Sequence, residues 1–437
     1  MNSSKNIFYA LLLCTVAAVV VTSCGDNKTD PTPPPTPTPT PTPKYDTIVV
    51  DTFYVDTLRI DTIIHDTVRE VANNRVVLSY TSCYYAANPN VNLTTHICYS
   101  CAALTMNNGR YVGFDFVNSN HERFRKTVAL KEKKHELKIL LSFGNFGNEF
   151  VVMSADSAMR RQFAEDCLKF CQDEGIDGID LDWEFPGKCT GCDPAHDVDN
   201  YTAVFRTLRE VMGNDYLITF AGAPKNKEKI EGGYRFVDLQ AVEPYIDWIN
   251  LMCYDYDQGD IRHCPHNALY GGMSDNGSNV YWDISRSYTS YKNAKFPMDK
   301  IVVGVAFYGR HSFDDGSGEM FYKEINDVYL KSFTNIYSYK YNNIWKVPTL
   351  YKNGEFWCSY DDPRSIAEKG KWLIGRGMRG IMHWQVAGDN ARNDLQHACW
   401  DAMKKETAHD TTFVFTTDTV HYKDTIIVPI PEIKQPL

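Results

Sequence analysis

Residues 177–187 read Asp-Gly-Ile-Asp-Leu-Asp-Trp-Glu-Phe-Pro-Gly. Side chains alternate faces along a β-strand, so Asp180, Asp182 and Glu184 line one face while Ile179, Leu181 and Trp183 line the other. The apolar face can pack against helices, and an acidic strand on a solvated edge fits poorly with it. Buried carboxylates are costly, and like charges so close push one another's pKa upward. A row of this kind points to a reactive site. A carboxylic acid kept protonated near neutral pH is the standard donor to a leaving-group oxygen in glycosidic cleavage. Glu184 lies nearest the C-terminal end of the strand, where barrel and open-sheet enzymes carry their catalysis, and is the candidate acid. Asp182, one step below, is close enough to raise the pKa of Glu184. Asp180, deeper still, can share a proton with Asp182.

The pattern Asp177-x-x-Asp180-x-Asp182-x-Glu184 resembles the active-site signature of glycoside hydrolase family 18, the chitinases and their relatives. That resemblance implies a (β/α)8 TIM barrel and a retaining, substrate-assisted mechanism. In it the substrate's own 2-acetamido carbonyl attacks the anomeric carbon while the glutamic acid protonates the leaving oxygen. By carry-over Glu184 is the acid/base, Asp182 orients the acetamido group and Asp180 tunes Asp182.

A barrel requires regularly spaced strands and helices. Residues 76–80, 96–101, 137–143, the acidic strand, 216–221, 245–256, 301–310 and 380–385 read as its eight strands, with helices such as 157–174 and 199–212 between them. Three of these segments carry further resemblances. Met252-Cys253-Tyr254-Asp255 is similar to the family's Met-x-Tyr-Asp motif. The resemblance makes Tyr254 a hydrogen-bond partner of the acetamido oxygen, places Met252 at the substrate and lets Asp255 bind sugar hydroxyls. Tyr308 and Arg310 share a strand face and are expected to contact the substrate, and Trp384 resembles the tryptophan that floors the subsite of the cleaved sugar. A compact α+β insertion between strands 7 and 8, about residues 311–359, is expected to wall one side of a groove. The resemblance covers about residues 74–405.

The pattern also departs from the family. The third strand ends Ser142-Phe143-Gly144-Asn145-Phe146-Gly147, without a second glycine or a following tryptophan, and the first ends Ser79-Tyr80-Thr81-Ser82-Cys83. Thinned aromatic platforms favour soluble oligosaccharides or a branched glycan over processive work on crystalline chitin, with Tyr84, Tyr85 and Phe146 as partial substitutes. The first reading is therefore a hydrolase of β-1,4 bonds at N-acetylglucosamine in chitin or chitooligosaccharides, needing no cofactor. Its rivals are an endo-β-N-acetylglucosaminidase acting on N-glycans and a non-catalytic glycan-binding protein on the same barrel.

Outside the barrel, Lys5 and an apolar run over 7–21 precede Val21-Thr22-Ser23-Cys24, a signal peptide whose end resembles a bacterial lipobox with Cys24 as the acylated residue. Residues 25–43 form a Thr/Pro linker, and its alternating part is a polyproline II spacer of about 40 Å at roughly 3.1 Å per residue. This layout suits an enzyme held off an envelope membrane, with the outer membrane the expected address. Asp-Thr then recurs at Asp46, Asp51, Asp56, Asp61 and Asp66 within a stalk over 44–73, and again at Asp410, Asp418 and Asp424 within the tail 406–437. Those sites resemble an O-glycosylation sequon of some Gram-negative envelope proteins; equally, β-rich segments from both termini can pair into a small sheet. A formal charge of −10 without a basic run argues against nucleic acid as a partner. Of 13 cysteines, Cys14 and Cys24 are set aside with the leader and the lipid. Cys167 and Cys171 share a helix face and read as core, whereas Cys189 and Cys192 lie in a loop where a local disulfide is plausible. A zinc site drawing on His263 and Cys264 is a minor alternative.

Overall fold

The computed structural model describes residues 56–60, 73–145, 148–189, 191–224, 236–256, 265–271, 282–311, 318–405 and 417–421. Eight parallel strands close into a barrel: β1 Val76–Ser82, β2 His96–Asn107, β3 Lys138–Asn145, β4 Gly178–Trp183, β5 Leu217–Gly222, β6 Trp248–Leu251, β7 Ile301–Ala306 and β8 Gly380–Trp384. Each pairs with its sequence neighbours, and β8 pairs with β1 to complete the ring. The period-two pattern assigns the two faces. Leu78, Tyr80, Cys98, Leu140, Trp248, Val302 and Met382 form an inner cluster. Val77, Ile97, Leu141, Ile179, Leu181, Ile249, Val303 and Ile381 belong to the outer cluster under the helices.

Helix formation is legible residue by residue in Ser157–Glu174. Asp156 caps it, accepting from the amides of Ala158 at 2.8 Å and Met159 at 2.9 Å. Phe163, Ala164, Cys167 and Cys171, spaced for one face, are its buried residues. Gly175 ends the helix at φ 67°, a conformation that glycine adopts without strain, and the chain turns directly into β4. At the entry to β4, Asp177 accepts from Lys131 at 2.7 Å, Lys138 at 2.9 Å and the Ile139 amide at 2.9 Å. Burial alone would raise that carboxyl, yet these three donors hold it below the usual carboxylate range. The catalytic strand is thus anchored at its N-terminal end.

Three segments differ from the sequence expectation. Only Trp248–Leu251 of 245–256 is strand. Beyond it the chain curls, the Cys253 amide donates to Leu251, and Asp255 adopts φ 52°. The run 301–310 breaks after Phe307, whose amide makes the last ladder bond to the Trp384 carbonyl at 2.8 Å; Tyr308–His311 then leaves the barrel and joins a second sheet. The second strand runs on past the barrel to Asn107 and turns through Asn108 and Gly109, both at positive φ, into the antiparallel Arg110–Phe116.

The insertion is a five-stranded antiparallel sheet in the order Glu319–Phe321, Tyr308–His311, Glu355–Ser359, Val347–Lys352, Tyr337–Asn342, with helical turns over 322–332. Its return to the barrel is fixed by Asp361, which accepts from Lys369 Nζ and Ser365 Oγ at 2.6 Å each and from the Ala306 amide at 3.2 Å. A separate unit contains Asp56–Ile60 paired antiparallel with Thr417–His421, the two-terminus pairing that the Asp-Thr repeats allow.

Lys369 and Asp361 are both 0% exposed, and removing one partner of such a pair leaves the other charged and buried. Lys369→Met is expected to destabilise the chain by about 3–5 kcal/mol in urea denaturation; unchanged stability would show that the pair is dispensable.

Candidate active site

The acidic row stands inside the barrel, as its alternation requires. Asp180 is 0% exposed and accepts four hydrogen bonds. Its Oδ2 takes Tyr80 Oη at 2.8 Å and Ser142 Oγ at 2.9 Å, and its Oδ1 takes Thr219 Oγ1 at 2.6 Å and Asn250 Nδ2 at 3.0 Å. Asn250 Nδ2 also donates to Tyr80 Oη at 3.0 Å, and Trp248 Nε1 donates to Asn250 Oδ1 at 2.9 Å. Burial raises the Asp180 carboxyl, and its four donors oppose that rise. Asp180 therefore acts on Asp182 by its charge while its own oxygens are taken by β1, β3, β5 and β6. None of these four donors stands out in the sequence; their inward parity on expected strands is the only signal that marks them.

Asp182 and Glu184 are hydrogen-bonded to each other. Burial, the Glu184 charge and then the Asp180 charge push Asp182 well up. Burial, and after it the Asp255 charge, push Glu184 up to about 7. The two carboxyls hold a shared proton at a pH where isolated acids would have lost theirs. Asp182 Oδ1 is buried and has no hydrogen-bond partner among the described residues, an acceptor not yet used. Behind the strand, the loop that follows Glu184 is clipped by a disulfide between Cys189 and Cys192, whose Cα atoms are 5.0 Å apart. Asp197 accepts from the amides of Gly187 at 3.0 Å and Asp193 at 2.7 Å and fixes the same loop.

Tyr254 lies in the inner cluster with Met252, Met382 and Trp384. Its hydroxyl has a weak contact with Met382 Sδ at 4.0 Å, and burial, then the charges of Asp182, Asp255 and Glu184, keep it protonated. Gly304 makes room for this ring: a Cβ there would meet Tyr254 Cε1 at 2.7 Å and the Leu251 carbonyl at 2.8 Å. Asp255 is held by a two-pronged ion pair, with Arg310 Nε at 2.7 Å and Nη2 at 2.8 Å. Burial would raise Asp255, but Arg310 and then His266 hold it well below the usual carboxylate range. Buried His266, which no motif in the sequence marks, approaches Asp255 at 3.4 Å. Tyr308, expected at the substrate, is 1% exposed and packs between Tyr254 and His266, with centroids at 6.2 Å and 5.2 Å. Arg310 lies beside it and is committed to Asp255. Trp384 is partly exposed at the end of β8, tilted against Tyr80 at 5.6 Å.

Cys24, Phe146, His263 and Cys264 lie outside the described residues. Among the described residues no group of three His, Cys, Asp or Glu could hold a metal ion. Cys167 and Cys171 are buried in the core. Cys83 Sγ, just past β1, stands 3.3 Å from Cys101 Sγ, midway along β2, an approach that their distance in sequence concealed.

Comparison with known proteins agrees with this geometry. The family model described as glycosyl hydrolases family 18 matches residues 75–389. Mouse Chitotriosidase-1 is 27% identical over 338 residues, covering 71% of this chain and 70% of that protein. Chitinase C of Streptomyces lividans is 28% identical over 62% of this chain, a stretch that spans only 45% of the bacterial protein. Group II chitinase catalytic domain 2 of Ostrinia furnacalis has the same fold, with a TM-score of 0.67 at 22% identity over 77% of this chain and 98% of that one.

The Glu184 carboxyl is expected to titrate near 7 in carboxyl carbon NMR. In Asp255→Asn, where the neighbouring negative charge is gone, the midpoint should fall; an unmoved midpoint would show that burial alone sets it.

Proposed function

The chain belongs to glycosyl hydrolase family 18 and is a glycosidase, and from its site we propose that it cleaves β-1,4 bonds at N-acetylglucosamine in chitooligosaccharides with retention of configuration. The observation that carries this reading is the coupled pair at the end of β4. Glu184 is an acid that keeps its proton near pH 7, and beside it Asp182 holds one buried oxygen with no partner. Neither Asp180 nor Asp255 stands free to attack: Asp180 is saturated by four donors and Asp255 is paired with Arg310. A nucleophile supplied by the substrate fits that arrangement.

The steps follow from these groups. The substrate acetamido N–H donates to Asp182 Oδ1, which turns the acetamido carbonyl oxygen towards the anomeric carbon. Tyr254 donates to that oxygen and steadies it. The carbonyl oxygen forms a bond to the anomeric carbon as the glycosidic bond breaks, and Glu184 gives its proton to the departing oxygen. The resulting oxazolinium is neutralised in charge by Asp182. Water then attacks the anomeric carbon from the opposite face as its bond to the acetamido oxygen breaks and the acetamide is restored; Glu184 takes the water's proton, and the β-anomer is released. Trp384 offers a flat apolar surface on which the sugar ring can stack. The chitinases among the relatives support N-acetylglucosamine as the recognised unit. The endo-β-N-acetylglucosaminidase reading draws on the same acid pair, and the binding-protein reading is disfavoured by the intact Glu184, Asp182 and Tyr254.

Wild type and Glu184→Gln should be compared on N-acetylglucosamine oligomers of defined length, with the product anomer read by NMR. The expected result is β-anomer product from wild type and a loss of about 10²–10⁴-fold in the variant. Because the donor is the protonated form, wild-type kcat/KM should fall as pH rises through about 7. An α-anomer product would overturn the substrate-assisted mechanism.

We propose in addition that Cys24 carries a lipid that anchors the enzyme to the envelope, on the strength of the Val21-Thr22-Ser23-Cys24 sequence. Labelled fatty acid should enter the wild-type chain and not Cys24→Ala; equal labelling, or none in either, would remove the anchor.

A further inference from the structure

The mouth of the barrel is bridged on one side by two aromatic rings from different parts of the chain. Tyr85, 43% exposed, belongs to the segment after β1, and Phe321 ends the insertion strand Glu319–Phe321. Their centroids are 5.2 Å apart and their planes cross at 72°. Edge-to-face contact of this kind is favourable beyond the area it buries.

Both rings are braced from behind. Phe321 pairs with Tyr308 across the ladder, packs partly buried against the inner cluster that includes Tyr80 and Tyr254, and receives Lys323 Nζ at 5.1 Å from its centroid. Lys323 in turn donates to the Ala387 carbonyl at 2.8 Å, which ties the insertion to the segment after β8. Tyr85 sits on a turn in which its amide donates to Ser82 at 3.2 Å. The neighbouring Cys83 carbonyl accepts from Arg123 Nη1 at 2.6 Å and Asn120 Nδ2 at 3.2 Å. The contact joins two held segments.

Its place in the ring of strands gives it a direction. β8 lies between β7 and β1, so a bridge from the insertion after β7 to the segment after β1 spans the rim at the end of β8, where Trp384 stands. Glu184 follows β4, on the opposite side of the closed barrel. A sugar seated on Trp384 thus has the proton donor on one side and the two rings on the other. The leaving group must lie on the donor's side, because Glu184 has to reach the glycosidic oxygen. What faces the rings is the non-reducing side of the cleaved sugar.

We propose that Tyr85 and Phe321 close the non-reducing end of the groove, so that the enzyme works from that end and releases one or two sugars at a time. The proposal rests on the hydrolase reading above and deepens it by fixing the cleavage pattern.

The test uses N-acetylglucosamine tetramer to hexamer reduced to alditols at the reducing end, with early products resolved by mass. Wild type is expected to release unlabelled mono- or disaccharide, shortening the alditol-bearing chain by the same step whatever its length. Tyr85→Ala should open the end, give alditol products of several lengths, and raise the hexamer rate relative to the tetramer by about tenfold, equivalent to one decade of transition-state discrimination. Tyr85→Phe, which keeps the ring, should retain the wild-type pattern. A spread of alditol lengths from wild type, or an unchanged pattern in Tyr85→Ala, overturns the closed end while leaving the hydrolase reading intact. Failure of wild type to cut any oligomer overturns the chitooligosaccharide reading, and the closed end with it.

Discussion

A carboxylate with no exposed surface, Asp180, sits at the centre of the barrel, and the rest of the site depends on how it is kept there. An unpaired charge at such a depth would neutralise or distort the fold. Here Tyr80, Ser142, Thr219 and Asn250 each give it a hydrogen bond, so β1, β3, β5 and β6 all converge on one residue of β4. The same bonds that satisfy the charge fix the register of the strands around it. With its oxygens used up, Asp180 reaches Asp182 through its field, which helps to raise that carboxyl and to hold a proton in the row.

The site then separates its remaining acids by environment. Asp255 is ionised because Arg310 grips both its oxygens, and it stays so at any working pH. Glu184, with most of its surface covered, is pushed the other way by burial, and the fixed charge of Asp255 adds to the push. Two carboxylates thus take opposite protonation states near neutrality, which is how a protein assigns acid and charge roles within one cavity. Arg310 in this account is an electrostatic partner of the acid row, and Tyr308 beneath it is packing that keeps Arg310 and Tyr254 in place.

The acid row, its face and the eight-strand order were legible because alternation within a strand is a local property. The helix Ser157–Glu174 was legible to the residue, since its cap, its buried face and its terminating glycine all lie in its own sequence. The donors to Asp180 were not, because each comes from a different strand and only barrel closure brings them together. His266 escaped for the same reason, reaching Asp255 from a segment with no regular structure. The hairpin through Asn108 and Gly109 carried a visible turn signal that strand counting overlooked. The run 301–310 misled in a physical way. Its apolar pattern continues through Phe307, but the bond of the Phe307 amide to the Trp384 carbonyl is the last of the barrel ladder, and beyond it the chain departs for another sheet.

That departure explains why the insertion belongs to the active site. Leaving the barrel at Phe307 places Tyr308 against Tyr254, Arg310 on Asp255 and, paired with Tyr308 across one antiparallel ladder, Phe321 on the inner cluster. The return at Asp361 is locked by a buried lysine and by the amide of Ala306, one residue before the break. Exit and re-entry are therefore pinned to the same point of β7, and the module between them cannot shift without moving the guanidinium that sets the charge on Asp255. The charge that tunes the acid and the wall that limits the groove are positioned by one rigid connection. Their coupling is a consequence of topology, since both are carried on the strands that flank a single break in β7.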